Sequence, residues 1–220
     1  MIWRFIKEQR FFIFPYLLFV VTGITFFFIE DKVHTHLILT EKYSDIADII
    51  FYWLTKVAEG WFGVPLLLVL LCYQYRAFLF TGLTYLISAI ITQLLKNFVF
   101  EEHLRPLHFL RNHPLFRRIP DVEILLHNSF PSGHSTSAFA LFFCLALLNK
   151  NNYIKVAMFV CALTVAYSRI YLNQHFLQDI VAGSIIGVGT GIICHLIIYE
   201  KKIIFASHKF EKGLLRGSKL

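Results

Sequence analysis

Long apolar runs punctuated by short charged clusters set the pattern of the chain. A helix crossing a bilayer needs about 20 mostly apolar residues. Six stretches approach that length: Phe11 to Ile29, Val57 to Tyr73, Ala77 to Leu95, His134 to Leu148, Tyr153 to Tyr171 and Phe176 to Tyr199. The pattern predicts an all-α fold, a bundle of six transmembrane helices. The second and fourth stretches are the least regular. Gly60, Gly63 and Pro65 can bend the start of the second. Ser135, Thr136 and Ser137 shorten the apolar part of the fourth, so its first turn must face protein or water. The N-terminus has Arg4, Lys7 and Arg10 before an apolar run, as a signal peptide would, but Phe11 to Ile29 is long enough to span and "FFFIED" offers no small-residue cleavage site. It reads as a retained first helix.

Two connecting segments stand out by length. Glu30 to Lys56 is polar and acidic, and its "IADIIFYWL" predicts an amphipathic helix lying along the interface. Lys96 to Pro131 contains no spanning run, yet "PLHFLRNHPLFRRIP" alternates bulky apolar and basic residues. A loop this long is usually functional or disordered, and this one is too apolar for disorder. No repeat, low-complexity tract or boundary divides the chain. Residues 1–220 therefore read as one membrane-embedded domain, with its signature region at 96–179 and a basic tail at 200–220.

Charge sets the expected orientation. With six spans both termini share a side, which carries Arg4, Lys7, Arg10, Arg76, Lys150, Lys155, Lys201, Lys202, Lys209, Lys212, Arg216 and Lys219 against Glu8, Glu200 and Glu211. The other side holds nine basic and eleven acidic residues. The positive-inside bias places both termini in the cytoplasm. The basic tail is most simply an orientation signal with affinity for anionic lipid.

Composition agrees with a membrane protein: 57% of residues are hydrophobic and 24 are Phe, with a mean hydropathy of +0.62. The formal charge of +7 does not point to nucleic acid, because the basic residues are dispersed between apolar runs. Cys72, Cys144, Cys161 and Cys194 all lie in apolar runs without a CxxC pair and read as buried hydrophobes.

Three polar stretches remain, and all fall on the side opposite the termini. In "SRIYLNQHFLQD", His175 and Asp179 are four apart, about 40° around a helix. The carboxylate can then accept a hydrogen bond from one ring nitrogen and leave the other as nucleophile or base. Arg169 would lie on another face of a continuous helix, so a turn near Leu172 and Asn173 is expected to bring Arg169 and His175 to one pocket. In "FPSGHSTSAFA" the amides at a helix start carry partial positive charge and are ready for an anion. Ser132 can cap that start, Gly133 lets a ligand come close, and His134 sits on the first turn. In "KNFVFEEHLRP", Lys96 closes the third span and Arg105 offers a planar fork for phosphate oxygens. Lys96, Arg105, Arg169 and the amides at Ser132 and Gly133 form a donor set for a multiply charged oxyanion, with two histidines beside it.

Those stretches resemble the signature of the type 2 phosphatidic acid phosphatase superfamily, integral membrane lipid phosphatases. PSGH at Pro131 to His134 and SR-x5-H-x3-D at Ser168 to Asp179 match closely. The first stretch departs, because the family usually has K-x6-RP and here eight residues separate Lys96 from Arg105. Two extra residues can be absorbed in a loop, but in a helix they would turn Lys96 by about 200°. The resemblance implies a reaction without metal or other cofactor on a lipid phosphate held in the bilayer. His175 would attack phosphorus to give a phosphohistidine, Asp179 would orient it, and His134 would protonate the leaving oxygen and later activate water. Lys96, Arg105, Ser132, Gly133 and Arg169 would bind the phosphate. The expected site is the periplasmic face of the inner membrane, and the substrates left open are undecaprenyl diphosphate, phosphatidylglycerophosphate, phosphatidic acid and lipid A phosphates.

Plainer readings stand beside these. A lone His-x3-Asp pair is more often structural, and PSGH alone is an ordinary helix start. Together on one membrane face they point to function, since ionisable groups at membrane depth are functional by default. His103, His108 and His113 recur every five residues, a spacing that does not align side chains on a helix, and they read as interfacial loop residues rather than metal ligands. Arg111, Arg117 and Arg118 read as headgroup-facing charges, or, more sharply, as a grip on a second phosphate or sugar acid. The alternative from another class is a transporter or channel using the Arg, His and Asp cluster as a proton relay. Against it, the charges gather at one end of the bundle, and no pair of broken helices marks a midplane site. A catalytically dead lipid-binding homologue is disfavoured because His134, His175 and Asp179 are all present.

Overall fold

The structure, a computed structural model, describes residues 2–114, 116–119, 122–123, 125–200 and 207–215. Lys201, Lys202, Arg216 and Lys219 of the expected basic tail lie outside the described residues. Among the described residues the secondary structure is helical: α1 (Ile2–Ile29), α2 (Lys32–Leu39), α3 (Asp45–Lys56), α4 (Gly60–Tyr73), α5 (Tyr75–Phe98), α6 (Pro106–Leu110), α7 (Gly133–Leu148), α8 (Asn152–Tyr171) and α9 (Leu177–His195). The last continues into a π-helical turn at Leu196–Glu200.

Local chemistry accounts for several boundaries. Asp31 caps α2 by accepting from the Val33 and His34 amides, at 2.7 and 3.2 Å. Ser44 accepts from the Ala47 amide at 3.1 Å and starts α3. Asn151 accepts from the Tyr153 amide at 2.9 Å and starts α8.

Among the described residues, four helices are long and apolar enough to cross a membrane: Trp3–Ile29, Tyr75–Phe98, Asn152–Tyr171 and Leu177–Glu200. α3 and α4 meet the same test only as a pair, bent by 48°. The protein is therefore a multi-pass membrane protein, with four such spans among the described residues, or five counting the bent pair, where six were expected. The expected second span starts three residues late, at Gly60, because the Val57, Ala58 and Glu59 amides bond three residues back and turn the chain before α4. The expected fourth, α7, has 16 residues, about 24 Å against a hydrocarbon core of about 30 Å. It can be short because it meets protein on every side, with Ala138 through Cys144 all buried. The first span starts earlier than its apolar run, since α1 takes in Arg4, Lys7 and Arg10. The segment expected to lie along the interface is α3. It turns Asp48 and Thr55 inward and exposes Ile46, Ile49, Ile50 and Trp53.

α7 is the centre of the bundle. Its parallel neighbour α9 presents Gly183, Gly187 and Gly191 toward it at intervals of four, the small-residue spacing that lets membrane helices approach closely. α5 faces the same core with Thr81, Thr84, Ser88 and Thr92 buried, and the Thr92 hydroxyl donates to the Thr136 hydroxyl at 3.0 Å. Rings close the other flank. Phe12 of α1 lies 4.9 Å from Phe143 and 5.7 Å from Phe159, and Tyr16 lies 5.7 Å from Phe139. The outer faces stay apolar, with Phe14, Leu18 and Phe28 of α1, Leu86 and Leu94 of α5 and Val160 of α8 exposed. A polar interior inside an apolar sheath is the arrangement a bilayer requires.

The two ends of the bundle differ. At one, Arg4 pairs with Glu200 at 3.3 Å, Lys155 donates to the Glu8 carbonyl at 2.5 Å, and Arg76 pairs with Glu211. The described tail folds back here, with the Tyr75 amide donating to the Lys212 carbonyl at 2.7 Å. The other end gathers the last turns of α5 and α8 and the first turns of α7 and α9.

Candidate active site

α8 ends at Tyr171 and the chain reverses through residues 172–176, with Asn173 in the left-handed region at φ 56°. The reversal folds back on its own helix: the Gln174 and His175 amides both donate to the Arg169 carbonyl, at 2.9 and 3.1 Å. Arg169 and His175 are thus neighbours, by a turn at the expected place. His175 stands in that turn rather than on α9, which begins at Leu177. The His175–Asp179 pair therefore brackets a helix start instead of sharing a helical face.

His175 Nδ1 lies 3.4 Å from Asp179 Oδ2, with both side chains almost fully buried. That is longer than a closed hydrogen bond, and Nδ1 has no other partner among the described residues. Asp179 Oδ2 is already engaged by the Ser129 hydroxyl at 2.5 Å and the Phe176 amide at 2.9 Å. Ser129 was not singled out by the sequence, and no spacing rule marks it; only the fold lays it against α9. The Ser132 amide also docks on this helix, donating to the Asp179 carbonyl at 3.0 Å. The starts of α7 and α9 are thereby joined.

Burial, with the positive charges of Arg105, Arg169 and Lys96, holds the His175 imidazole well below its usual pKa. The ring is neutral near pH 7 and keeps a lone pair for attack.

The expected phosphate ligands divide. The two extra residues between Lys96 and Arg105 fall beyond α5, in the connection at 99–105, so Lys96 keeps its place in the last helical turn. From there it lies within electrostatic reach of Arg105, Asp179 and Arg169. Arg169 is 8% exposed. It gives Nη1 to the Thr55 hydroxyl at 2.7 Å, while its Nε is buried without a partner among the described residues. Arg105 differs from the free fork expected. Its Nε donates to the His127 carbonyl at 2.8 Å, Nη1 to Gln174 O and Oε1 at 3.1 and 3.2 Å, and Nη2 to the Asn128 carbonyl at 3.3 Å. It brings positive charge and orders the 127–128 and 174 segments, with few N–H groups to spare.

Ser132 caps α7, accepting from the Ser135 amide at 3.3 Å. Its own amide is spent on Asp179, so it cannot serve the anion as expected. The first-turn amides of Gly133 and His134 make no turn or cap hydrogen bond among the described residues. A Cβ on Gly133 would meet nothing within 4 Å, so its open side faces ligand space. His134 opens onto a cavity of about 180 Å³ that Arg169, Thr55 and Glu59 also line.

Other candidates resolve differently. Arg117 pairs with Asp45 and Asp48, at 2.6 and 2.7 Å, and lines one cavity with Arg111 and Arg118. That cavity, of about 320 Å³, is also lined by Gln174. His103 packs on Phe100 and Phe130, at ring distances of 5.2 and 5.6 Å. Among the described residues no group of three His, Cys, Asp or Glu could hold a metal ion.

A short membrane helix carrying histidine at a polar bundle end, joined to a His-Asp turn and ringed by cations, defines a class of anion-handling membrane protein. The chain belongs to the PAP2 superfamily, whose sequence pattern matches residues 77–203. It is similar to the lipid A 1-phosphatase of Rhizobium etli, 34% identical over 111 residues, or 50% of this chain and 45% of that protein. The chain thus spans about half the length of the curated relatives it matches first. The fold is similar to the crystal structure of Aquifex aeolicus LpxE, with a TM-score of 0.64 and 27% identity over 74% of this chain and 93% of that one. It is also similar in fold to a PAP2-type phosphatidylglycerolphosphate phosphatase from Bacillus subtilis, with a TM-score of 0.62 and 20% identity over 91% and 99% of the two chains.

Proposed function

We propose that this protein hydrolyses a phosphomonoester or diphosphate of a membrane lipid, without metal, through a phosphohistidine on His175. The observation that carries the reading is the convergence of Lys96, Arg105 and Arg169 on a neutral, buried His175 at one end of an apolar-sheathed bundle. Two buried guanidinium groups and a half-buried ammonium, with few carboxylates between them, are costly to hold together, and a phosphate dianion relieves that cost.

In the first step the Nε2 lone pair of His175 attacks phosphorus. The bond from phosphorus to the leaving oxygen breaks, its electron pair stays on that oxygen, and His134 supplies the proton. Asp179 faces Nδ1 and stabilises the charge that develops on the ring. In the second step His134, now neutral, takes a proton from water while the water oxygen attacks phosphorus. The N–P bond breaks, its electron pair returns to His175, and inorganic phosphate leaves. Lys96, Arg105, Arg169 and the Gly133 amide neutralise the equatorial oxygens, the main demand of phosphoryl transfer. Each well-placed donor of this kind is worth about 3 kcal/mol.

The Lys/Arg excess at the opposite end supports cytoplasmic termini and a periplasmic site, with α7 and the bent α3–α4 pair completing six crossings of one domain. Lipid A phosphate, undecaprenyl diphosphate, phosphatidylglycerophosphate and phosphatidic acid are the substrates to compare. The test is phosphate release from each by the detergent-purified protein in excess EDTA, with His175→Ala in parallel. Turnover by wild type but not by His175→Ala is the expected result. Activity that survives the substitution, or that EDTA abolishes, overturns the mechanism.

A further inference from the structure

The joint between α3 and α4 brings to His134 a carboxylate that none of the three signature stretches contains. Glu59 immediately precedes α4, and its Oε1 lies 3.6 Å from His134 Nε2. That ring nitrogen is buried and has no hydrogen-bond partner among the described residues. Lys56, one turn earlier, reaches the same carboxylate with Nζ at 3.1 and 3.4 Å and holds it at the cavity wall. Thr55 of the same helix anchors Arg169 at 2.7 Å. One short segment therefore braces both the proposed acid and a phosphate ligand.

The charges around His134 give the arrangement its sense. Lys96 faces it from α5, Arg105 from the loop after α5, Arg169 from α8, Lys56 from α3 and His175 from the turn before α9. Asp179 on α9 is committed to Ser129 and the Phe176 amide, and Glu123 lines the far side of the cavity. A group encircled by cations gives up its proton, whereas protonating a leaving oxygen requires that it keep one. At 3.6 Å the Glu59 contact is electrostatic rather than a closed hydrogen bond, so the N–H stays transferable.

We infer that Glu59 is the positioning residue of the general acid, turning His134 into the cavity and, once a bound phosphate offsets the surrounding cations, holding it in its imidazolium form until the leaving oxygen takes the proton. This rests on the phosphatase reading for its catalytic consequence but not for the pairing itself.

Two readouts on detergent-solubilised protein test it. The first is the titration of His134, followed by NMR of histidine-labelled protein, assigned with His134→Asn and compared across wild type, Glu59→Gln and Glu59→Asp. The midpoint is expected to fall by about one pH unit or more in Glu59→Gln and to stay near wild type in Glu59→Asp. The second is turnover of an alkyl lipid phosphate against p-nitrophenyl phosphate, whose aryl oxide leaves without a proton. Glu59→Gln is expected to slow the alkyl substrate at least tenfold, to pull the alkaline limb of its kcat profile to lower pH, and to leave the aryl substrate nearly unchanged. An unmoved midpoint, or equal loss on both substrates, overturns the proposal. A shifted midpoint in a protein that hydrolyses neither substrate supports the pairing and overturns its role as acid partner together with the phosphatase reading.

Discussion

Close packing of α7 against α9 should be what registers the two histidines, and a series of glycine substitutions measures it. A Cβ added at Gly187 would lie 2.6 Å from the Thr136 carbonyl oxygen, 2.8 Å from the Ala140 amide nitrogen and 3.3 Å from Phe139 Cβ. Two of these are backbone atoms, so relief comes only by moving the helices apart, by about 0.5–1 Å. Overpacking of this kind costs about 1–3 kcal/mol, and the better helix propensity of Ala returns about 1 kcal/mol. Gly189 is the internal control, because a Cβ there meets nothing within 4 Å and Gly189→Ala should be neutral or stabilise by up to about 1 kcal/mol. The difference between the variants isolates the overpacking, about 1–3 kcal/mol, with Gly187→Ala the less stable. The same displacement separates the start of α7 from that of α9, which the bond from Ser132 to Asp179 joins at 3.0 Å. A misplacement near 1 Å can cost about 10²-fold in rate, so kcat should fall at least tenfold at temperatures where the variant remains folded. Thermal midpoints in detergent and phosphate release from the same samples provide both readings. If Gly187→Ala is as stable and as active as Gly189→Ala, the helix contact does not register the site.

Other perturbations separate the remaining parts. Ser129→Ala removes a 2.5 Å hydrogen bond to the buried Asp179 carboxylate, worth about 1.5–3 kcal/mol for a charged acceptor; kcat should drop about tenfold or more while KM holds, and an unchanged kcat refutes a role in orienting Asp179. Arg169→Lys keeps the charge but loses the planar fork and the bond to Thr55; inhibition by inorganic phosphate should weaken at least tenfold, and an unchanged inhibition constant argues against contact with the anion. His36 in α2 is buried, bonded through Nε2 to Asn173 Oδ1 at 2.8 Å, and burial lowers its pKa to about 4. The native state thus refuses a proton that the unfolded chain accepts below about pH 6.5. The stability this provides is complete above that value and is lost progressively as pH falls from about 6.5 to about 4, by about 3 kcal/mol in all. Thermal midpoints of wild type and His36→Asn measured down that range should converge or cross, and parallel curves would exclude the effect.

The apolar runs made the helical, membrane-embedded class legible, because lipid imposes a composition that no soluble core requires. Segment lengths were less so. α7 carries a helix's pattern without a span's length, and hydropathy alone cannot tell that protein rather than lipid will surround it. α3 and α4 meet the test for a span only when a bend is allowed between them. The motifs at 131–134 and 168–179 located His134, Arg169, His175 and Asp179, since each is local and anchored to a helix end. The extra residues before Arg105 found their place only once α5 was seen to end beyond Lys96.

By itself the sequence determined the residue types, their order and the bundle end on which they fall, all of which follow from short-range pattern and the hydrophobic length scale. Only the tertiary structure decided which polar groups are already spoken for. The Ser132 amide goes to Asp179, most of the Arg105 guanidinium to main-chain carbonyls and Arg117 to its own carboxylates. It also decided that Ser129 meets Asp179, His36 meets Asn173 and Glu59 approaches His134, each pair remote in sequence. Hydrogen bonds and ion pairs act over a few ångströms, and which chain segments come that close depends on helix packing, a property no local stretch of sequence contains.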